Sequence, residues 1–183
     1  SPKVNSEGRG FRTVSIGAVS GGHFNPDGQV KYVELTPDEA SPYLVMEGDI
    51  FAVRGNGNRQ LVALVGRSYQ SFNDLVYPDL LIRMRFDPDR ISDEFLIAQW
   101  NHPSVHARLL ARAKSSNGIS KVNGQDIRSH ELLVPPLSEQ EEIASSLRPF
   151  TWASSETQQR MAQLRTVKCV LMSAMQGGPI ESL

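Results

Sequence analysis

Six consecutive residues, Arg54-Gly55-Asn56-Gly57-Asn58-Arg59, carry two guanidinium forks and two carboxamides on a backbone with little bulk. A guanidinium can hold a phosphate or pair bidentately with the O6/N7 edge of guanine. A carboxamide can do the same with the N6/N7 edge of adenine. Gly55 and Gly57 would let the backbone come close to such a partner. The same Asn-Gly steps also make an ordinary hairpin turn, and the sequence leaves both readings open. A second polar set, Lys114, Ser116, Asn117 and Lys121 in "KSSNGISK", suits phosphate contact or plain loop structure. The "SGGHFN" loop at 20–25 is a weaker third candidate. Arg83 and Arg85 share one strand face and could equally be solvated.

Covalent chemistry is harder to find. A nuclease of the PD-(D/E)xK type needs an acid two residues before its lysine. Pro78-Asp79 offers the first half, but Lys3, Lys31, Lys114, Lys121 and Lys168 all lack that acid. An amino-methyltransferase needs a glycine-rich cofactor loop and an Asn/Asp-Pro-Pro-aromatic site. Here Pro135-Pro136 follows Val134 and precedes Leu137. His102 and His106 are spaced for two metal ligands on a helix face, but Pro103 lies between them and no cysteine is near. Cys169 reads as a small buried hydrophobe. Neither catalysis, nor a metal, nor a cofactor is expected of this chain.

Charge distribution is compatible with such contacts, although gaps of this kind arise equally by chance in a chain of this length. The net charge is −1, yet no acid lies between Asp49 and Asp74, where Arg54, Arg59 and Arg67 sit. No acid lies between Glu94 and Asp126 either, where Arg108, Arg112, Lys114 and Lys121 sit. A neutral average can hide a basic face. Apolar content of 39% within 183 residues suffices for a core. No apolar run approaches the roughly 20 residues of a membrane span. The lone cysteine fits a reducing, cytoplasmic setting. The chain opens Ser-Pro-Lys, so a missing leader says little.

These residues need elements to position them. Alternation predicts strands in "RTVSIGAV" (Val14, Ile16 and Ala18 on one side), "QVKYVEL", Asp49–Arg54 and Gln60–Val65. Another is expected in "DLLIRMRFD", with Leu80, Ile82, Met84 and Phe86 inward. The Gly-Asn-Gly-Asn stretch would join two of them as a tight loop. The period then turns helical. Ser92 caps a helix burying Phe95, Leu96 and Trp100, and Pro103 opens a second with Val105, Leu109 and Leu110 inward. "SSNGISKVNGQD" reads as a polar loop, and "ELLVPP" as a closing strand. The fold class is α+β with a mixed or antiparallel sheet.

Pro135 and Pro136 end that strand, and Ser138 with Glu141 forms a capping box for a long helix. Its seam runs Ile143, Leu147, Phe150, Ser154, Thr157, Met161, Leu164, Lys168, Leu171, Met175, with alternating steps of 4 and 3. That is a coiled-coil register. A helix over 139–176 would be about 57 Å long and would bury its seam on a partner helix, the alternative being a helix folded back on its own domain. Pro149 implies a kink or break, and Gly177-Gly178-Pro179 a stop.

The stretch "LLVPPLSEQEEIASSL" resembles the junction in specificity (S) subunits of type I restriction–modification enzymes. There an apolar strand enters a Pro-Pro-Leu-x-Glu-Gln-x-x-Ile signature opening a spacer helix. Leu133, Val134, Pro135, Pro136, Leu137, Glu139, Gln140 and Ile143 carry the match. "EGDIFAVRGNGN", "YPDLLIRMRFDPDRISDEFL", "SSNGISKVNGQDIRSHELLVPP" and "LMSAMQGG" resemble further family segments in the expected order. The resemblance covers most of 43–178.

The resemblance implies a target recognition domain (1–137), one conserved spacer or dimerisation helix (138–178) and a tail (179–183), half of a full S subunit. It implies double-stranded DNA as ligand, one half of a bipartite site as target, and catalysis in partner modification (methyltransferase) and restriction subunits. DNA contacts are then expected from Arg54, Asn56, Asn58, Arg59, Arg67, Lys114, Ser116, Asn117 and Lys121. Helix contacts, in a homodimer or with a second half of the same subunit, are expected from Ile143, Leu147, Phe150, Met161, Leu164, Leu171 and Met175. A non-enzymatic adapter that dimerises through its helix and binds protein is the alternative.

Overall fold

A computed structural model of the chain describes residues 4, 5 and 8–147. Phe150 and the rest of the expected seam, Pro149, Cys169 and the expected helix stop lie outside the described residues. The chain divides into two compact units, Ser1–Ser145 and Ser146–Leu183, and the sheets belong to the first.

"IFAV" explains the centre of the fold. Four apolar residues without alternation signal a strand covered on both faces. Strand β6 (Ile50–Val53) is buried at every position. Ile50 and Ala52 point into one core with Val65, Met84, Phe95, Leu96, Trp100 and Leu109. Phe51 and Val53 point into a second with Val14, Phe24, Val45, Leu75 and Leu81.

Around β6 lies a five-stranded sheet ordered β10 (Leu81–Met84), β6, β8 (Val65–Arg67), β4 (Gly22–Phe24), β3 (Val19–Ser20). Its pairs are antiparallel except β4 with β8. A four-stranded sheet runs β1 (Val4–Asn5), β5 (Val30–Val33), β2 (Phe11–Val14), β9 (Leu75–Val76), with β2 and β9 parallel. A third sheet joins β11 (Lys114–Ser116), β12 (Ile119–Lys121) and β7 (Gly55–Asn56). Helices are α1 (Pro37–Ala40), α2 (Asp93–Asn101), α3 (Pro103–Arg112), α4 (Gly124–Arg128) and α5, covering 137–147. The α+β class with mixed sheets is as expected.

Ser92 caps α2 by accepting the Phe95 N–H, and Phe95, Leu96 and Trp100 are buried. Pro103 opens α3, whose Leu109 and Leu110 face inward. His106 is the third buried residue there, while Val105 is only half-buried.

Several expectations are corrected. The "RTVSIGAV" strand ends at Val14, and Ile16–Ala18 is a 3-10 turn, since Ser15 donates its backbone N–H to Gln29 and the chain then bends. Gln60–Val65 is not one strand. Arg59–Leu61 is a 3-10 turn capped by Asn58, and the strand starts at Val65. Leu81 rather than Leu80 faces the core, because β10 register pairs Leu81 with Val53. "ELLVPP" is extended but joins no sheet, and Leu133 is 81% exposed. Its carbonyls go to side chains instead: Gln99 donates to Leu133 and Gln140 to Pro135.

The Ser138–Glu141 capping box does not form. The α5 helix starts two residues earlier, at 137, with the Pro136 carbonyl accepting from the Glu139 and Gln140 N–H groups. Gln140 does the anchoring. It is fully buried, its Oε1 accepts the Ser92 N–H at 2.8 Å, and its Nε2 donates to Arg90 O (3.0 Å) and Pro135 O (2.7 Å). One side chain thus ties the first turn of α5 to the cap of α2.

Candidate nucleic-acid interface

The two polar stretches meet. After β6 the chain passes Arg54, whose N–H donates to Leu80 O and whose carbonyl accepts from Val122 N, each at 2.9 Å. Gly55 and Asn56 then pair with the 114–121 segment instead of turning back as a tight hairpin. That segment is a hairpin in its own right. Asn117 and Gly118 form its two-residue turn with φ of 50° and 75°, which is Asn-Gly chemistry. Asn117 therefore has a structural duty at the turn.

Register fixes which side chains share a face. Lys114, Lys121 and Gly55 stand in one row, and Ser115, Ser120 and Asn56 in the next. Side chains of successive rows point to opposite sides. Ser120 and Val122 are buried, so the other face, with Lys114, Ser116, Ile119 and Lys121, meets solvent. A glycine is needed opposite Lys121, since a Cβ on Gly55 would lie 2.8 Å from the lysine Cγ. Two ammonium groups directly across a ladder repel. No carboxylate ion-pairs with either lysine among the described residues. An anion placed between them would relieve that repulsion.

The remaining expected residues are less free. Asn56 Oδ1 accepts the Asn58 N–H at 2.9 Å, and Asn58 Oδ1 accepts the Gln60 N–H at 3.1 Å. A bidentate pairing with adenine would have to share those oxygens. Arg54 is exposed and donates Nη1 to Asp79 O at 3.2 Å. Arg59 donates Nη2 to Leu110 O at 2.7 Å, satisfying a terminal carbonyl of α3. It borders a cleft of about 430 Å³ shared with Asn101, Pro103 and His106.

Arg67 is not part of this sheet. It pairs with Ile50, five residues before Gly55, which puts it about 16 Å away along the strand. Its Nε lies 2.7 Å from Asp93 Oδ2, and its guanidinium sits over Tyr69. The Tyr69 hydroxyl is held above its usual range, by burial first, with Arg67 opposing. Among the helix positions, Ile143 packs on the domain's own core and Leu147 is exposed.

His102 and His106 do not converge. His102 Nδ1 meets Ser104 Oγ at 2.9 Å, and buried His106 puts Nε2 2.6 Å from Val62 O. Among the described residues no cluster of three metal-binding side chains exists. Arg83 and Arg85 both pair with Asp49, which is 1% exposed and also accepts the Met46 N–H; Arg83 is largely covered, while Arg85 keeps 62% of its side chain in solvent. Sequence reasoning missed the structural roles of Asp49 and Gln140. For Asp49 the available signal was an acid directly before an unbroken apolar strand.

No family model matches the chain. It is 31% identical over 145 residues to the type I restriction enzyme EcoKI specificity subunit of Escherichia coli K12, covering 78% of this chain and 31% of that one. It is 28% identical over 152 residues to the StySPI specificity subunit of Salmonella potsdam, covering 81% and 32%. The chain thus spans about a third of these curated relatives. In fold it is similar to the HsdS subunit of Thermoanaerobacter tengcongensis, with a TM-score of 0.57 at 15% identity, covering 100% of this chain and 48% of that one. A chain from a structure describing complex assembly and conformational transition of a type I R-M system gives 0.58 at 14% identity and the same coverage. No helix among the described residues is long and apolar enough to cross a membrane.

Proposed function

We propose that this chain, a relative of type I restriction enzyme specificity subunits, recognises duplex DNA and does no chemistry itself. Its globular part, 1–137, would act as a target recognition domain for one half of a bipartite site. Residues 138–178 would be the spacer, pairing with a second copy or a second half of the same subunit. Modification and restriction subunits would supply catalysis, in the cytoplasm.

One observation carries the reading. Two sequence-distant polar stretches combine into one three-stranded sheet whose solvent face holds Ser116 and a lysine couple with no carboxylate partner among the described residues. The surface suits phosphate first, since lysine is a point charge with no directional fork. Base reading then falls to groups at the sheet's edge, Arg54 and the carboxamide NH2 groups of Asn56 and Asn58. Phosphate contacts would fix register and these groups would add sequence choice.

The direct test is duplex binding as a function of salt. DNA affinity should fall steeply as salt rises, and Lys114→Gln with Lys121→Gln should each take about one unit off the log–log slope. Binding indifferent to salt, or to both lysines, would remove this sheet from the interface.

A further inference from the structure

We propose that the outer side of α3 and the end of α4, through Arg108, Arg112 and Arg128, forms a second phosphate-contacting surface for duplex DNA. This rests on the DNA reading above and extends it to residues outside the three-stranded sheet.

Arg108 and Arg112 lie four apart on α3, so their side chains neighbour each other on one exposed helix face. Arg112 is held in place. Its Nη1 donates to Ser129 O at 2.9 Å and Ser129 Oγ at 2.7 Å, which ties α3 to the residue following α4. Arg128, in the last turn of α4, is exposed and folds over Gly124, where an added Cβ would meet its Nη1 at 3.2 Å. No carboxylate pairs with any of the three among the described residues. Asp126, two residues before Arg128, spends Oδ2 on the Asn123 N–H.

His130 lies within the field of Arg108 and Arg112. Its ring stands edge-on to Trp100, with centroids 5.1 Å apart. Its pKa is lowered, first by burial and then by Arg108 and Arg112, against the opposing effect of Glu131. The positive field of both arginines therefore reaches the ring.

The chemistry favours nucleic acid over a protein partner. Protein interfaces use arginine too, but set it beside large aromatic or apolar anchors in a desolvated centre. Neither α3 nor α4 exposes a large aliphatic or aromatic side chain; Pro103, Ala107 and Ala111 are the exposed apolar residues of α3. Guanidinium forks without such anchors match phosphate oxygens. The strip also runs into Lys114 two residues after Arg112, so the two surfaces are continuous along the chain.

The test uses the full chain and a 30-base-pair random-sequence duplex. Arg108→Gln combined with Arg128→Gln spares Arg112 and its structural bonds. The double variant should unfold at the wild-type midpoint while its salt slope drops by about two units. Lys31→Gln, on the remote β5 strand, should leave the slope unchanged. In parallel, the His130 ring signal, identified by its loss in His130→Gln, should titrate at higher pH in the complex, because bound phosphate offsets the arginine field. A wild-type slope in the double variant and an unmoved His130 titration would overturn the proposal while leaving DNA recognition intact. Wild-type chain that shows no salt-dependent binding would overturn both.

Discussion

Replacing Gln140 by leucine should destabilise the globular unit by about 3 kcal/mol. The side chain makes three hydrogen bonds to backbone groups and has no exposed surface. Each such bond contributes about 1 kcal/mol net, and leaving a buried partner unsatisfied adds to the loss. The Ser92 N–H is the critical partner, since Ser92 is half-buried and a donor shielded from water tolerates isolation poorly. Leucine keeps the volume and gains apolar burial of about 1 kcal/mol, which offsets part of this. The net loss is then about 2–4 kcal/mol, against a total of about 5–15 for an ordinary domain. Urea unfolding followed by circular dichroism measures it, and the m-value should not change. Gln140→Glu sharpens the test. Near neutral pH its carboxylate still accepts from Ser92 but faces the Arg90 and Pro135 carbonyls with no donor. Stability should recover partly as pH falls and the group gains a proton. A leucine variant within about 0.5 kcal/mol of wild type would refute the anchoring argument.

Other substitutions probe the site and its supports. Gly55→Ala should weaken DNA binding and cost about 1–3 kcal/mol, as the new methyl meets Lys121 Cγ at 2.8 Å; binding titration and urea unfolding check both. Asn117→Gly should leave the hairpin intact, whereas Asn117→Ala should lose about 1 kcal/mol, because alanine resists φ near 50°. Asp49→Asn removes the charge serving Arg83 and Arg85 and should cost about 1–3 kcal/mol on thermal unfolding, since Arg85 can turn to solvent. The lowered pKa of His130 means that protonation opposes folding. Stability from this group should therefore fall as pH drops below about 6.5, and His130→Gln should flatten that part of the pH profile.

Legibility followed the reach of each signal. Ser92, Pro103 and the residues of α2 could be read because caps and a 3.6-residue period are local. The two-core role of "IFAV" was half legible: its strand was visible, its double burial was not. The pairing of Gly55–Asn56 with Ile119–Lys121 crosses more than sixty residues, and no local pattern encodes it. "KSSNGISK" was read as a loop because two lysines and three serines hid a three-residue ladder around an Asn-Gly turn. "ELLVPP" failed in the opposite direction. Its apolar run met the strand pattern, but no neighbouring strand among the described residues bonds it, and Gln99 and Gln140 take its carbonyls. Polar side chains that act on distant backbone, such as Gln140 and Arg59, leave no periodic trace.

The most direct test of the central claim is selection from a random duplex pool at moderate salt, with and without a matching modification subunit, followed by sequencing. The account predicts an enriched short motif, repeated in inverted orientation across a fixed gap if two copies act together. No enrichment even with the modification subunit present would contradict DNA recognition and shift the reading to a protein-binding adapter.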